Sequence, residues 1–159
     1  AKINVVISDM WCAGITIAKD RSLPTRIIER KSFDTQAEHE AAIAATIHHH
    51  RSKYVFLAGY MAILSSDFVN QFAGQIINIH PSLLPAFKGL NTHQRAIDEN
   101  AAMHGVSVHV VTAALDEGPI IAQASLPLMA SDTADSLAAR ALEIEHQIYP
   151  FVLFGLAKF

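Results

Sequence analysis

The stretch N-I-H-P-S-L-L-P, residues 78–85, decides how this chain reads. Ile76, Ile77 and Ile79 form an apolar run that reads as a buried strand. Asn78 and His80 sit two apart inside that run. A strand buried on both faces has no cheap place for a carboxamide and an imidazole. The end of this strand is therefore where a function is to be sought.

Working outward, short apolar strands are expected at residues 3–7, 25–28, 54–58, 75–79, 106–112 and 119–126. Y-V-F-L-A, 54–58, is continuous enough to lie in a parallel sheet under helices. Helices are expected at 14–19, 34–50, 62–72, 92–103 and 133–149. Asp34-Thr35 caps the second of these, and Ser131 or Asp132 the last, which Pro150 ends or kinks. The order β-α-β-α-β-α-β-α-β-β-α predicts an α/β domain. Its open sheet is mostly parallel under helices, with antiparallel strands at one edge. No repeat or linker divides the 159 residues, so a single domain, 1–159, is expected.

Composition narrows the function classes. Apolar residues make up 51% of the chain and charged residues 17%, which describes a core-rich globular protein. A formal net charge of −3 carries no footprint for nucleic acid or an anionic membrane. No apolar run approaches the ~18 residues of a membrane span, and no signal peptide is visible, so the cytoplasm is the expected compartment. Cys12 is the single cysteine and excludes an internal disulfide.

In open α/β sheets, ligands bind at the carboxyl ends of strands. Asn78 and His80 end one strand, His109 lies in the next, and Asp116 follows in A-L-D-E-G-P. If those strands are neighbours, the four converge. Asn78 offers N–H donors, and a protonated His80 offers a donor with a positive charge. Both suit an oxyanion forming on a carbonyl carbon. Asp116 would hold a water or accept a proton from an attacking amine. No G-x-S-x-G elbow, Walker A loop or G-x-G-x-x-G fingerprint is present. Plainer readings stand beside this one. A histidine at a strand end often satisfies the core, Asn78 can bond loop backbone, and Asp116 suits any turn. Histidines 80, 93, 104 and 109 lack the paired spacing of a zinc site, so no metal is expected.

N-I-H-P-S-L-L-P, with G-V-S-V-H-V-V-T at 105–112 and L-D-E-G-P-I-I-A-Q at 115–123, resembles the folate-dependent formyltransferases. The resemblance runs to about Pro150. It implies a Rossmann-like formyltransferase fold with helices on both faces. It also implies transfer of a formyl group from 10-formyltetrahydrofolate, as cosubstrate, to the amine of glycinamide ribonucleotide in purine synthesis. Asn78, His80 and Asp116 match the family's catalytic positions, and Ser107 and His109 the supporting ones. Leu57, Met61, Ala62, Ile63, Leu64, Phe68 and Ile76, with Ala113, Ala114 and Leu115, match positions around the folate. Met61, Ile79, Pro81 and Glu145 match positions around the ribonucleotide. Small molecules are the expected partners, for a monomer or homodimer.

The chain departs from the family pattern in places. Ala62 stands where arginine is common, and Asn91 where G-L-H-T-H is usual. S-D-M-W-C-A-G, 8–14, is unlike the usual polar loop. The family's first strand with its phosphate loop, and its C-terminal tail, are expected to be missing. A formyltetrahydrofolate deformylase and a catalytically silent folate-binding domain are the competing readings.

Overall fold

The computed structural model describes residues 2–158. The strands are β1 (Val6–Ser8), β2 (Thr25–Ile27), β3 (Val55–Leu57), β4 (Ile76–His80), β5 (Met103–Val110) and β6 (Ile120–Pro127). The helices are α1 (Ala13–Asp20), α2 (Gln36–His49), α3 (Ser66–Gln71), α4 (Thr92–Asp98) and α5 (Ala134–Leu156). Their order is the one expected from the hydrophobic pattern.

β1 and β2 pair in parallel, and the other strands form a sheet of order β3-β4-β5-β6. β3 runs parallel to β4, whereas β5 is antiparallel to both β4 and β6. The antiparallel part thus begins one strand earlier than the expected β-β step. Residues 81–102 between the two strands are more than a parallel crossover needs, so the length of the return does not set the direction of β5. α4 stops at Asp98, short of the expected 103, and Asn100 then adopts a left-handed conformation (φ 50°) from which the chain enters β5.

Helices cover both faces, and β4 shows how. Ile76 joins Ala44 and Ile47 of α2 and Phe68, Val69 and Phe72 in one core cluster. Its neighbour Ile77 points the other way, joining Val108 and Val152, with Ile79, Val110, Ile148 and Tyr149 packed against them. Strand alternation then puts Asn78 and His80 on the Ile76 face, beyond the reach of that cluster.

α3 begins at Ser66, after its Ser65 cap, four residues later than expected, and both ends of α5 differ from expectation as well. α5 is capped by Thr133, in a reciprocal box with Ser136. Asp132 is already engaged, accepting the Met129 N–H at 2.8 Å and a bond from Arg140 at 2.5 Å. α5 also runs past Pro150 to Leu156. Proline withholds one hydrogen bond, from the His146 carbonyl, and the packing of Val152 and Leu156 beyond it keeps the chain helical. Near this point the Tyr149 hydroxyl lies 2.7 Å from the Leu57 carbonyl and 2.9 Å from that of Ile77. Burial pushes its pKa up.

Candidate active site

Register brings the polar residues together. Asn78 lies opposite His109, and His80 opposite Ser107. Gln123 of β6 lies opposite Ser107 in turn. All five share the sheet face opposite α5, because directly paired residues point the same way. Asp116 comes from the loop after β5 and reaches the same place.

His80 is 6% exposed and has partners on both ring nitrogens. Nε2 donates to the Phe87 carbonyl at 2.9 Å, and Nδ1 lies 3.4 Å from Asp116 Oδ2. The Phe87 bond is the tight one; 3.4 Å is loose for a charge-assisted contact. Asp116 Oδ2 also accepts the Gly89 N–H at 2.9 Å. Asp116 itself is left-handed (φ 51°), as is Gly89 (φ 76°), so two tight turns bring this pair together.

His109 is a different kind of histidine. Nδ1 donates to the Val110 carbonyl at 3.1 Å, which leaves Nε2 as an acceptor for the Asn78 Nδ2–H at 3.4 Å. Burial lowers its pKa, against the opposing pulls of Val110 and Asp116. The ring therefore stays neutral, and its 3.7 Å approach to Asp116 is proximity without an ion pair. One of the two Asn78 N–H groups is thus committed to orienting the carboxamide. The other remains for a ligand.

Ser107 is fully buried and faces the loop after β4. It donates to the Ser82 carbonyl at 2.6 Å and accepts from the Leu84 N–H at 3.0 Å and from Gln123 Nε2 at 2.8 Å. Its work is to pin residues 82–84, and with them the loop carrying Phe87. The loop is tied again by Lys88 to Glu117 at 2.8 Å. Gly118 closes the turn; a Cβ there would lie 1.7 Å from the Val110 carbonyl oxygen.

The other expected site residues are spread around this centre. Met61 and Ile63 are 79% and 74% exposed. Ala62, Ala113, Ala114 and Leu115 are also exposed, while Leu57, Leu64, Ile79 and Pro81 are half-buried. Phe68 and Ile76 lie inside the core with no surface left to touch a ligand; they back the segment that Met61 and Ile63 present. Glu145 is half-buried on α5, where burial raises its pKa against the pull of His146 and then His80. A cavity of about 270 Å³ opens beside Asp116, lined by Leu84, Pro85, Lys88, Glu117, Gly118 and Ile120 as well. A larger one of about 600 Å³, against Ile27, Phe33 and Thr46, holds none of the site residues. Among the described residues, no group of three His, Cys, Asp or Glu side chains is placed to hold a metal ion. No helix among them is long and apolar enough to cross a membrane.

Sequence reasoning missed Gln123 and Gly89. Gln123 is an exposed residue of β6 whose amide reaches Ser107 and the Leu84 carbonyl, and a lone exposed glutamine in a strand carries no signal of such a bond. The Gly89 N–H carried no signal, because any residue has one.

Residues 1–153 match the formyl transferase family. The phosphoribosylglycinamide formyltransferase of Haemophilus influenzae is 43% identical over 154 residues, 96% of this chain and 73% of that protein. The Escherichia coli protein of the same name is 41% identical over 144 residues, 91% of this chain and 68% of its own. A solved phosphoribosylglycinamide formyltransferase from Brucella melitensis superimposes with a TM-score of 0.90 at 45% identity, covering 96% of this chain and 79% of that one. With a polar Asn–His–Asp centre where the family motifs fall, and relatives this close over most of its length, the chain belongs to the formyl transferase family.

Proposed function

We propose that this protein transfers the formyl group of 10-formyltetrahydrofolate to the amine of glycinamide ribonucleotide. The observation that carries the reading is the meeting of Asn78, His80 and Asp116 at the carboxyl end of β4 in a chain of this family. The ribonucleotide amine attacks the formyl carbon. The free N–H of Asn78 meets the oxyanion that develops, and His109 keeps the carboxamide aimed. His80 supplies a second donor and a positive charge once the Phe87 carbonyl gives up Nε2. Asp116, through water, carries a proton from the attacking nitrogen towards the leaving folate nitrogen. Met61 and Ile63 offer the apolar surface for the folate ring. Glu145 serves the ribonucleotide. The chain acts as one domain in the cytoplasm.

The test is loss of the formyl group from 10-formyltetrahydrofolate, followed by absorbance, with and without glycinamide ribonucleotide. Loss that requires the ribonucleotide is the expected result. Loss in its absence would make water the acceptor and the protein a deformylase. No loss from folded protein in either tube would leave a silent folate-binding domain.

A further inference from the structure

Gln36 and Glu40 lie one turn apart on α2, and both reach the segment that follows β3. Gln36 donates through Nε2 to the Ile63 carbonyl at 2.8 Å and to Glu40 Oε1 at 2.9 Å. Glu40 Oε1 also accepts the Ser65 N–H at 2.8 Å, and Oε2 accepts the Ser65 hydroxyl. That hydroxyl in turn accepts the Phe68 N–H at 3.2 Å, capping α3.

Glu40 is 4% exposed and has no Lys or Arg partner among the described residues. A carboxylate so placed is tolerable only when hydrogen bonds satisfy it. Burial works to raise its pKa, and the bonds from Ser65 and Gln36 more than offset that, leaving it lowered. Every one of those donors is Ser65 or the residue that grips Ile63. The whole arrangement therefore acts on one short segment, residues 61–65. This segment holds Met61 and Ile63 out in solvent, where apolar side chains are not stable by themselves. It starts just beyond Leu57, which is in register with Asn78.

We infer that Gln36 and Glu40 are positioning residues for the formyl donor. They hold the 61–65 segment in its binding conformation, so that Met61 and Ile63 stand ready as the apolar wall against the donor's ring system. The inference rests on the folate reading above. Without the grip, the segment would turn these side chains inward, and binding would have to bear the cost of ordering it again.

Two variants test this. Gln36→Leu removes the donor to Ile63 at an exposed position where folding is not at stake. Glu40→Gln keeps the shape and removes the charge. Each is expected to raise the KM for 10-formyltetrahydrofolate about tenfold, the scale of one charge-assisted hydrogen bond. The calorimetric Kd for tetrahydrofolate should rise by the same factor. The KM for the ribonucleotide, and kcat at saturating donor, should stay within about twofold. A folded Gln36→Leu protein with unchanged tetrahydrofolate affinity would overturn the inference. So would a fall in kcat at unchanged donor KM. Wild-type protein that binds no tetrahydrofolate would instead overturn the folate reading on which the inference stands.

Discussion

Ser107→Ala is the substitution whose cost the geometry fixes most closely. The hydroxyl makes three hydrogen bonds, to the Ser82 carbonyl, the Leu84 N–H and the Gln123 amide. Gln123 keeps a second partner, the Leu84 carbonyl at 3.0 Å. The Leu84 N–H and the Ser82 carbonyl lose theirs. Ser82 and Ser107 are both 0% exposed, so water does not reach the vacated place. Each buried group left unsatisfied costs about 1–3 kcal/mol, and two cost about 2–6 kcal/mol. That is a large part of a typical domain's stability. Urea unfolding gives the number directly, provided the slope is unchanged between wild type and variant. A Gln123→Leu variant and the double variant complete a cycle, and the pair should couple by more than about 0.5 kcal/mol. A Ser107→Ala loss below about 1 kcal/mol would refute the reasoning. It would mean that residues 82–84 find other partners and that the loop is not pinned from β5.

Three further outcomes are expected. Asn78→Ala should lower kcat by about 100- to 1,000-fold, the usual loss for an oxyanion donor, with the fold intact by circular dichroism; a variant within a few-fold of wild type would end that role. His104 is 1% exposed, and burial first, then His93 and His80, lower its pKa to about 4. The unfolded chain takes up this proton near pH 6.5 and the native protein only near 4. Its share of stability is therefore intact above about pH 6.5 and lost as pH falls towards 4. The loss should be about 2–3 kcal/mol between pH 7 and 4.5, and a His104→Leu variant should show that much less pH dependence; equal slopes would remove His104 as the cause. Gly118→Ala drives a Cβ to 1.7 Å from the Val110 carbonyl oxygen, so the backbone must shift at the loop that carries Asp116. Stability should fall by at least about 2 kcal/mol and kcat with it; a variant with wild-type Tm and kcat would show that the turn adapts freely.

The centre of the site was legible because strand periodicity and turn chemistry act locally. Asn78 and His80 interrupt an isoleucine run, and Asp116 falls in a glycine-closed turn. Those signals need no knowledge of distant partners. What escaped depends on pairing. Nothing in residues 92–103 carried a signal of strand direction, so the antiparallel pairing of β5 with β4 was not read. Phe68 and Ile76 resemble pocket residues in sequence, yet α2 covers them, and that contact joins segments some thirty residues apart. The role of Ser107 was half legible. Its place as a supporting residue came from the family motif alone, while its three bonds to the 82–84 loop and β6 followed only from register. The proline in α5 misled for the opposite reason: a local rule was outweighed by packing beyond it.

Tyr149 has a consequence for the medium in which the reaction takes place. One hydroxyl proton serves two carbonyl oxygens, those of Leu57 and Ile77, where β3 and β4 part. At such a parting a water molecule ordinarily enters to meet the exposed carbonyls. Here the phenol occupies that position from the α5 side. The Ile77 carbonyl shares its peptide unit with the Asn78 nitrogen, so the floor beneath the carboxamide is protein instead of solvent. Charges above such a floor are screened less, and at an effective dielectric constant of about 20 they interact about four times as strongly as in bulk water. Helix α5 thereby helps set the dielectric environment of the site from the far side of the sheet.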